Sequence, residues 1–187
     1  MQTPGHTIPV KDVPHPQKTN GTWIADTANV LSADTEAMLN QKIDKFKARK
    51  SAEIILVIVD ETKPSPSIED FTRQLFDSWS RDFPQMNTTV LLVVSKYENR
   101  AVIEVGHRLE KGIHPVEIKK ILINHIYLAL DNGHLEEGII SGIEDLTTII
   151  KPPSTVWSKV INLLLVLLLG GLLGALVIEI LKQKITN

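Results

Sequence analysis

Asp26, Glu104, Glu110, Arg108 and the histidines are the residues through which this chain could hold a cation, move a proton or grip an anion. Asp26 lies in the stretch Trp23–Ser32 (WIADTANVLS). A carboxylate there can ligate a metal at a sheet edge, or fix the approach to Ser32 as an Asx-turn residue. Glu104 alternates with Ile103 and Val105. It can supply a second ligand, or pair with Arg100 or Arg108. We expect the turn role for Asp26 and the salt-bridged strand role for Glu104, with weak Ca²⁺ or Mg²⁺ binding on the two as the alternative. His107, Arg108, Glu110 and His114 flank a loop after the predicted third strand. Such loops often carry sites in α/β sheets, and this set could handle protons or an anion. The other histidines are His6, His15, His125 and His134. No pair has zinc spacing on one predicted helix, and no H-E-x-x-H occurs. His125 is expected to pack or cap internally.

The familiar catalytic motifs are missing from the sequence. It has no G-x-S-x-G, no Walker A loop, no G-x-G-x-x-G and no D-x-D. The absence of Cys excludes disulfides, thiolate metal sites and a Cys nucleophile. With 20 basic and 22 acidic residues interspersed, there is no stripe for nucleic acid. The residues alone make no positive case for catalysis.

The positioning elements are clear in outline. Residues 1–21 hold several X-Pro steps and predict an extended, flexible arm. Residues 22–150 suffice for one domain with a real core. Ser32 predicts the cap of a helix through Arg49, with Leu39, Ile43 and Phe46 on its inner face. Glu53–Val59 (EIILVIV) and Thr89–Val94 (TVLLVV) predict strands buried on both faces. Between them, Ser67 and Asp70 cap a helix that turns Ile68, Phe71, Leu75 and Trp79 inward. Ala101–Val105 predicts a third strand, antiparallel to the second across a short turn. Pro115 opens a helix to about Leu130, with Ile118, Ile121, Leu122, His125 and Ala129 inward. A last helix covers residues 135–150. The order α-β-α-β-β-α-α predicts an α/β fold: a three-layer α/β/α sandwich around a small mixed sheet, with the first two strands parallel.

Several of these segments, taken in order, resemble the TPM domain family of thylakoid, photosystem-repair and receptor-accessory proteins. Asp26-Thr27-Ala28-Asn29-Val30-Leu31-Ser32 is similar to that family's D-x-A-x-x-L-S opening. Phe71, Leu75, Phe76 and Trp79 resemble its aromatic helix. Val90–Val94, Ile103-Glu104-Val105-Gly106 and Leu109-Glu110 resemble its V-L-L-L, I-E-V-G and L-E motifs. The resemblance implies an α/β/α sandwich, usually exported or lumenal, that assists membrane complexes or receptors. Some members bind divalent metal, and one branch has been credited with weak acid phosphatase activity. This chain departs at polar positions. Asn87-Thr88-Thr89 stands for D-N-G, Arg108 for a second Gly, and Pro115 for an Asp. Two lost carboxylates weaken a hard-cation site directly.

Behind the domain, residues 151–159 form a Pro-containing linker and residues 160–181 a predicted transmembrane helix, followed by a polar tail, 182–187. Leu163–Ile178 carry no charged or polar side chain, and twelve of these sixteen are Leu, Val or Ile. Twelve aliphatic residues favour insertion by about 4–7 kcal/mol. Gly170 with Gly174, and Gly171 with Ala175, form a small-residue stripe that suits close helix contact. Asn162 can add an interhelical hydrogen bond. Flanking lysines tie, so charge does not orient the segment. Residues 1–20 contain no apolar signal region, so either a leader was removed or the chain is tail-anchored.

We therefore expect a single-pass accessory protein that binds, stabilises or helps assemble an integral membrane protein complex, or forms a homodimer through its helix. The resemblance places the domain outside the cytoplasm, in periplasm or lumen. The alternatives are a divalent-metal-dependent phosphatase and a tail-anchored cytosolic adaptor. Membrane lipid is an expected partner, nucleic acid is not, and no cofactor is expected beyond a weakly held cation.

Overall fold

Two runs of aliphatic residues build the centre of the molecule. β2 (Glu53–Val59) and β3 (Thr89–Ser95) are buried along their whole length, as strands covered on both faces must be. A computed structural model describes residues 6–151. In it the sheet has four strands in the order β1-β2-β3-β4. β1 (Ile24–Asp26) and β3 both run parallel to β2, and β4 (Arg100–Val105) runs antiparallel to β3. β1 was not expected. Three residues are too short for a period, and they form a strand because β2 offers its open edge.

The helices follow their caps. α1 (Pro16–Thr19) is a single turn. α2 (Ala33–Lys50) starts where the Ser32 hydroxyl accepts from the Thr35 amide, and ends at Ser51 in the left-handed conformation. α3 (Ile68–Asp82) starts where the Ser67 hydroxyl accepts from the Asp70 amide. Its face of Ile68, Phe71, Leu75 and Trp79 is buried as expected. α3 lies on the side of β4 that carries Glu104, whose carboxyl feels Asp77 and Arg73 of that helix.

α4 (Pro115–Ile121), α5 (Leu128–Asn132) and α6 (Leu135–Ile149) belong to the opposite side. There Ile103 and Val105 meet Ile113, Pro115 and Ile118. α2 joins this layer through the Ser32 hydroxyl to Glu136 (2.7 Å) and the Lys42–Glu144 ion pair. The expected three layers are thus present, with α3 on one face and α2, α4, α5 and α6 on the other.

The helix expected to run from Pro115 to about Leu130 is broken in the middle. Leu122–Tyr127 is a π segment that joins α4 to α5. It moves the inward position at its centre by one residue, from His125 to Ile126. Ile121, Ile126 and Ala129 are buried, whereas the expected Leu122 and His125 are not. His125 instead bonds through Nε2 to Asp145 of α6 at 2.9 Å.

The arm also differs from expectation. Residues 6–21 pack on the domain instead of hanging free. Ile8 and Val13 are buried in the core, and Thr7 bridges Glu61. The His15 ring stacks on Phe83 at a centroid distance of 3.8 Å and meets Trp79 at 4.5 Å. The prolines made the segment extended, as expected, but its aliphatic residues fix it to α3.

His15 is buried, and neither ring nitrogen has a hydrogen-bond partner among the described residues. Burial holds its pKa below the ordinary value, with the Glu53 charge opposing. The folded value therefore lies under the unfolded one, near 6.5. Stability from this site is complete above about pH 6.5 and is lost as the pH falls through the folded value. Thermal melts should show the wild type weakening between neutral and mildly acidic pH. His15→Phe, which keeps the stacked ring, should flatten that slope. An unchanged slope would refute this assignment.

The predicted membrane segment, residues 160–181, with Asn162, Gly170, Gly171, Gly174 and Ala175, lies outside the described residues. Among the described residues no helix is long and apolar enough to cross a membrane.

Candidate functional site

The carboxyl ends of the parallel strands form one rim, and Asp26 closes β1 there. Its carboxylate accepts three backbone N–H groups: Ala28 at 3.1 Å on one oxygen, and Val30 and Leu31 at 2.8 Å each on the other. The chain must turn sharply from β1 to the Ser32 cap, and those amides have no ladder to join. Asp26 satisfies them. Asn29, inside this turn, takes the left-handed conformation at φ 48°.

Other groups on the rim are held in the same way. The Thr62 hydroxyl, fully buried, donates to Glu98 at 2.8 Å. Asn99 sits at φ 50° in the hairpin turn, and Gly133 at φ 75° ends α5. Asn29, Asn99 and Gly133 all line one cleft of about 500 Å³, with Lys96, His134 and Glu136. Left-handed residues cluster here because three tight turns converge. The cleft carries both signs of charge.

Glu136 of this cleft bonds Ser32 beside it, the nearest approach to a nucleophile and base. That pair does not suit the task. The Ser32 hydroxyl already accepts from the Thr35 amide at 3.2 Å. Hydrogen bonds from Thr35, then from the Ser32 amide and hydroxyl, hold the Glu136 carboxyl below its ordinary range, which makes it a weak base.

The second predicted group lies elsewhere. β4 runs against β3, with Val105 opposite Val90, so the loop after β4 sits at the amino end of β3. The sheet-end argument for this loop therefore fails, because the strand before it is antiparallel. His107 and Glu110 stand 3.5 Å apart and are largely exposed. Arg108 and His114 are exposed too. The His114 amide donates to Glu117 at 3.4 Å, so this residue serves the start of α4. Nothing gathers these four side chains around one point.

Asp26 and Glu104 are apart as well. They stand on the two edge strands, separated by three strand spacings, about 14 Å. The registers also put them on opposite faces. Glu104 lacks the expected partner, since Arg100 bonds Glu69 at 2.6 Å. Burial, then the Asp77 charge, push its carboxyl above the ordinary value. Among the described residues no group of three His, Asp or Glu could share a metal ion.

Gly106 explains why that loop is shaped as it is. A Cβ there would lie 2.3 Å from the Met86 carbonyl oxygen. The Gly106 amide donates to Thr89 at 2.8 Å, and the Arg108 amide to Asn87 at 3.0 Å. The loop before β3 and the loop after β4 are thus stitched together.

The family model of the TPM domain matches residues 24–149. This chain belongs to the TPM domain family. Three solution structures share its fold. The N-terminal domain of a P. gingivalis protein is 23% identical, with a TM-score of 0.67, over 77% of this chain and 92% of that one. A protein from the psychrophilic bacterium Bizionia argentinensis is 19% identical, with a TM-score of 0.57, over 70% and 90%. The N-terminal domain of a Corynebacterium glutamicum protein is 14% identical, with a TM-score of 0.55, over 73% and 85%. No curated protein matches the chain.

Within this TPM domain, Asn87 and Arg108 are the neighbours that the Arg108–Asn87 backbone bond joins. A hard cation wants six or more oxygens, several of them carboxylate. Here the Asp26 oxygens are committed to amides, positions 87 and 108 offer an amide and a guanidinium, and Glu104 is on the far edge. Among the described residues, these positions do not gather the carboxylates that a divalent ion needs. Sequence reasoning missed the Thr62–Glu98 clamp, whose only signal is a Thr before Pro64 and a Glu in the hairpin turn.

Proposed function

We propose that this TPM domain is a binding module of a membrane-anchored accessory protein, outside the cytoplasm, and that it acts on no phosphate substrate of its own. The observation that carries the reading is the commitment of Asp26 to three backbone amides. A hydrolase that relied on this carboxylate for a metal would have to give up the β1–α2 turn. The apolar run Leu163–Ile178 supports anchoring, and the double stripe of Gly170, Gly171, Gly174 and Ala175 supports contact with another helix. Two weak contacts on one chain raise each other's effective concentration, which suits a protein that stays with its complex.

The test is co-purification of the full chain in mild detergent, with mass spectrometry of what stays bound. Gly170→Ile with Gly174→Ile should reduce the retained partner, or the homodimer, by about tenfold or more, since a bulky side chain blocks backbone approach. Membrane insertion should not fall, because isoleucine is more apolar than glycine. The same change at Leu168 and Leu172 should retain the partner. Full retention by the glycine variant would leave the helix as an anchor only. Hydrolysis of p-nitrophenyl phosphate that depends on Mg²⁺ and disappears in Asp26→Ala would overturn the reading.

A further inference from the structure

β4 is an edge strand, and half of its backbone faces outward. The Gly106 amide bonds Thr89, which makes Thr89 and Gly106 a hydrogen-bonded pair. Such pairs alternate along an antiparallel ladder. By the register, Glu104 with Leu91 and Val102 with Val93 also bond inward. Ala101, Ile103 and Val105 therefore turn their amides and carbonyls away from the sheet. The Ala101 carbonyl is covered, since it accepts from the Tyr127 hydroxyl at 2.8 Å. The N–H and C=O groups of Ile103 and Val105 have no partner among the described residues.

The surroundings of this free stretch are asymmetric. Ile103 and Val105 border a groove with Ile113, Pro115 and Ile118 on the α4 side, and Glu104 and Glu110 line the same groove. Asp77 of α3 and Glu110 are both close enough to oppose the Glu104 charge. Arg73, the cation of that group, is taken up by Asp70.

We propose that β4 docks an extended peptide as a fifth strand, with apolar residues alternating with basic ones. Backbone bonds to Ile103 and Val105 would hold the segment. Its apolar side chains would fill the groove, and a lysine or arginine between them would neutralise Glu104 and Asp77. A second copy of this chain is a poor occupant, because pairing β4 with β4 would bring two Glu104 and two Asp77 side chains together. This inference rests on the accessory reading above and names the kind of segment the partner presents.

The probe is acetyl-Thr-Val-Lys-Val-Lys-Val-Thr-amide, titrated into the full chain in nanodiscs. Amide shifts read by NMR should centre on Ile103 and Val105. A peptide with glutamate for lysine should bind less tightly, and Glu104→Gln should weaken the lysine peptide about fivefold. Methylating the backbone nitrogens of one alternate set of peptide residues should abolish binding, while methylating the other set should spare it. This comparison uses the unaltered protein, so no folding defect can imitate it.

Equal binding by both methylated peptides, shifts confined to another surface, or no binding by the lysine peptide would each overturn the proposal. So would self-association through β4 in sedimentation, abolished by Ile103→Lys. Co-purification separates the two levels. If Ile103→Lys, folded by circular dichroism, retains the wild-type membrane partner, the docking strand is wrong and the accessory reading stands. If the wild type retains no partner, the accessory reading itself falls.

Discussion

Asp26→Ala should lower the stability of the domain by about 3 kcal/mol, because three amides lose a charged acceptor in one step. In a domain of this size that is a fall of roughly 10 °C in melting temperature. The side chain is short, so the loss should come mainly from the amides of Ala28, Val30 and Leu31. Asp26→Asn keeps one acceptor oxygen and should recover about half of the loss. Hydrogen exchange at Val30 and Leu31 should rise sharply in the alanine variant. Calcium should not alter the melting temperature of the wild type at micromolar concentration. A calcium shift that Asp26→Ala removes would mean that the carboxylate prefers a cation to its amides, and the turn role would be wrong.

Gly138→Ala should cost about 2–3 kcal/mol, although alanine is the better helix former by about 1 kcal/mol. A Cβ at Gly138 would lie 2.2 Å from the Ala129 Cβ and 2.6 Å from the His125 carbonyl oxygen. α6 would have to move off α5 and the π segment. Gly142, one turn on, meets Ile126 at 3.0 Å and keeps the same approach open. Ala129→Gly in the same chain removes one clash and leaves the carbonyl, so it should restore part of the loss. Urea denaturation of the single and double variants measures both. Additive losses would show that the two positions do not meet.

The layers were legible in the sequence because the strongest physical signals were local. β2 and β3 announce themselves as aliphatic runs, and Ser32 and Ser67 announce the starts of α2 and α3. Gly138 and Gly142 carry a small-residue spacing like that of Gly170 and Gly174, within the TPM domain. What the sequence did not show depends on partners far along the chain. β1 is a strand only beside β2. The arm is ordered because Ile8 and Val13 join the core and Phe83 and Trp79 receive His15. The Asp26 turn role was readable from its own loop. The distance between Asp26 and Glu104 was not, since it depends on which strands stand at the edges and on the register between them. The loop at His107 was misplaced because one strand's direction decides the end of the sheet at which it emerges.

The π segment has a consequence for tracing this family's history. A turn closed by bonds to the fifth residue holds one residue more than the α turn it replaces. Leu122–Tyr127 thus has the form of a helix that accepted a one-residue insertion. The added residue did not push α5 out of the core. It is absorbed within the segment, and Ile126 takes the inward place that regular spacing would give to His125. Length changes are ordinarily looked for in loops. Here the place to look is inside a helix, where only the central inward position moves, from His125 to Ile126, and Ala129 returns to the face that regular spacing gives it.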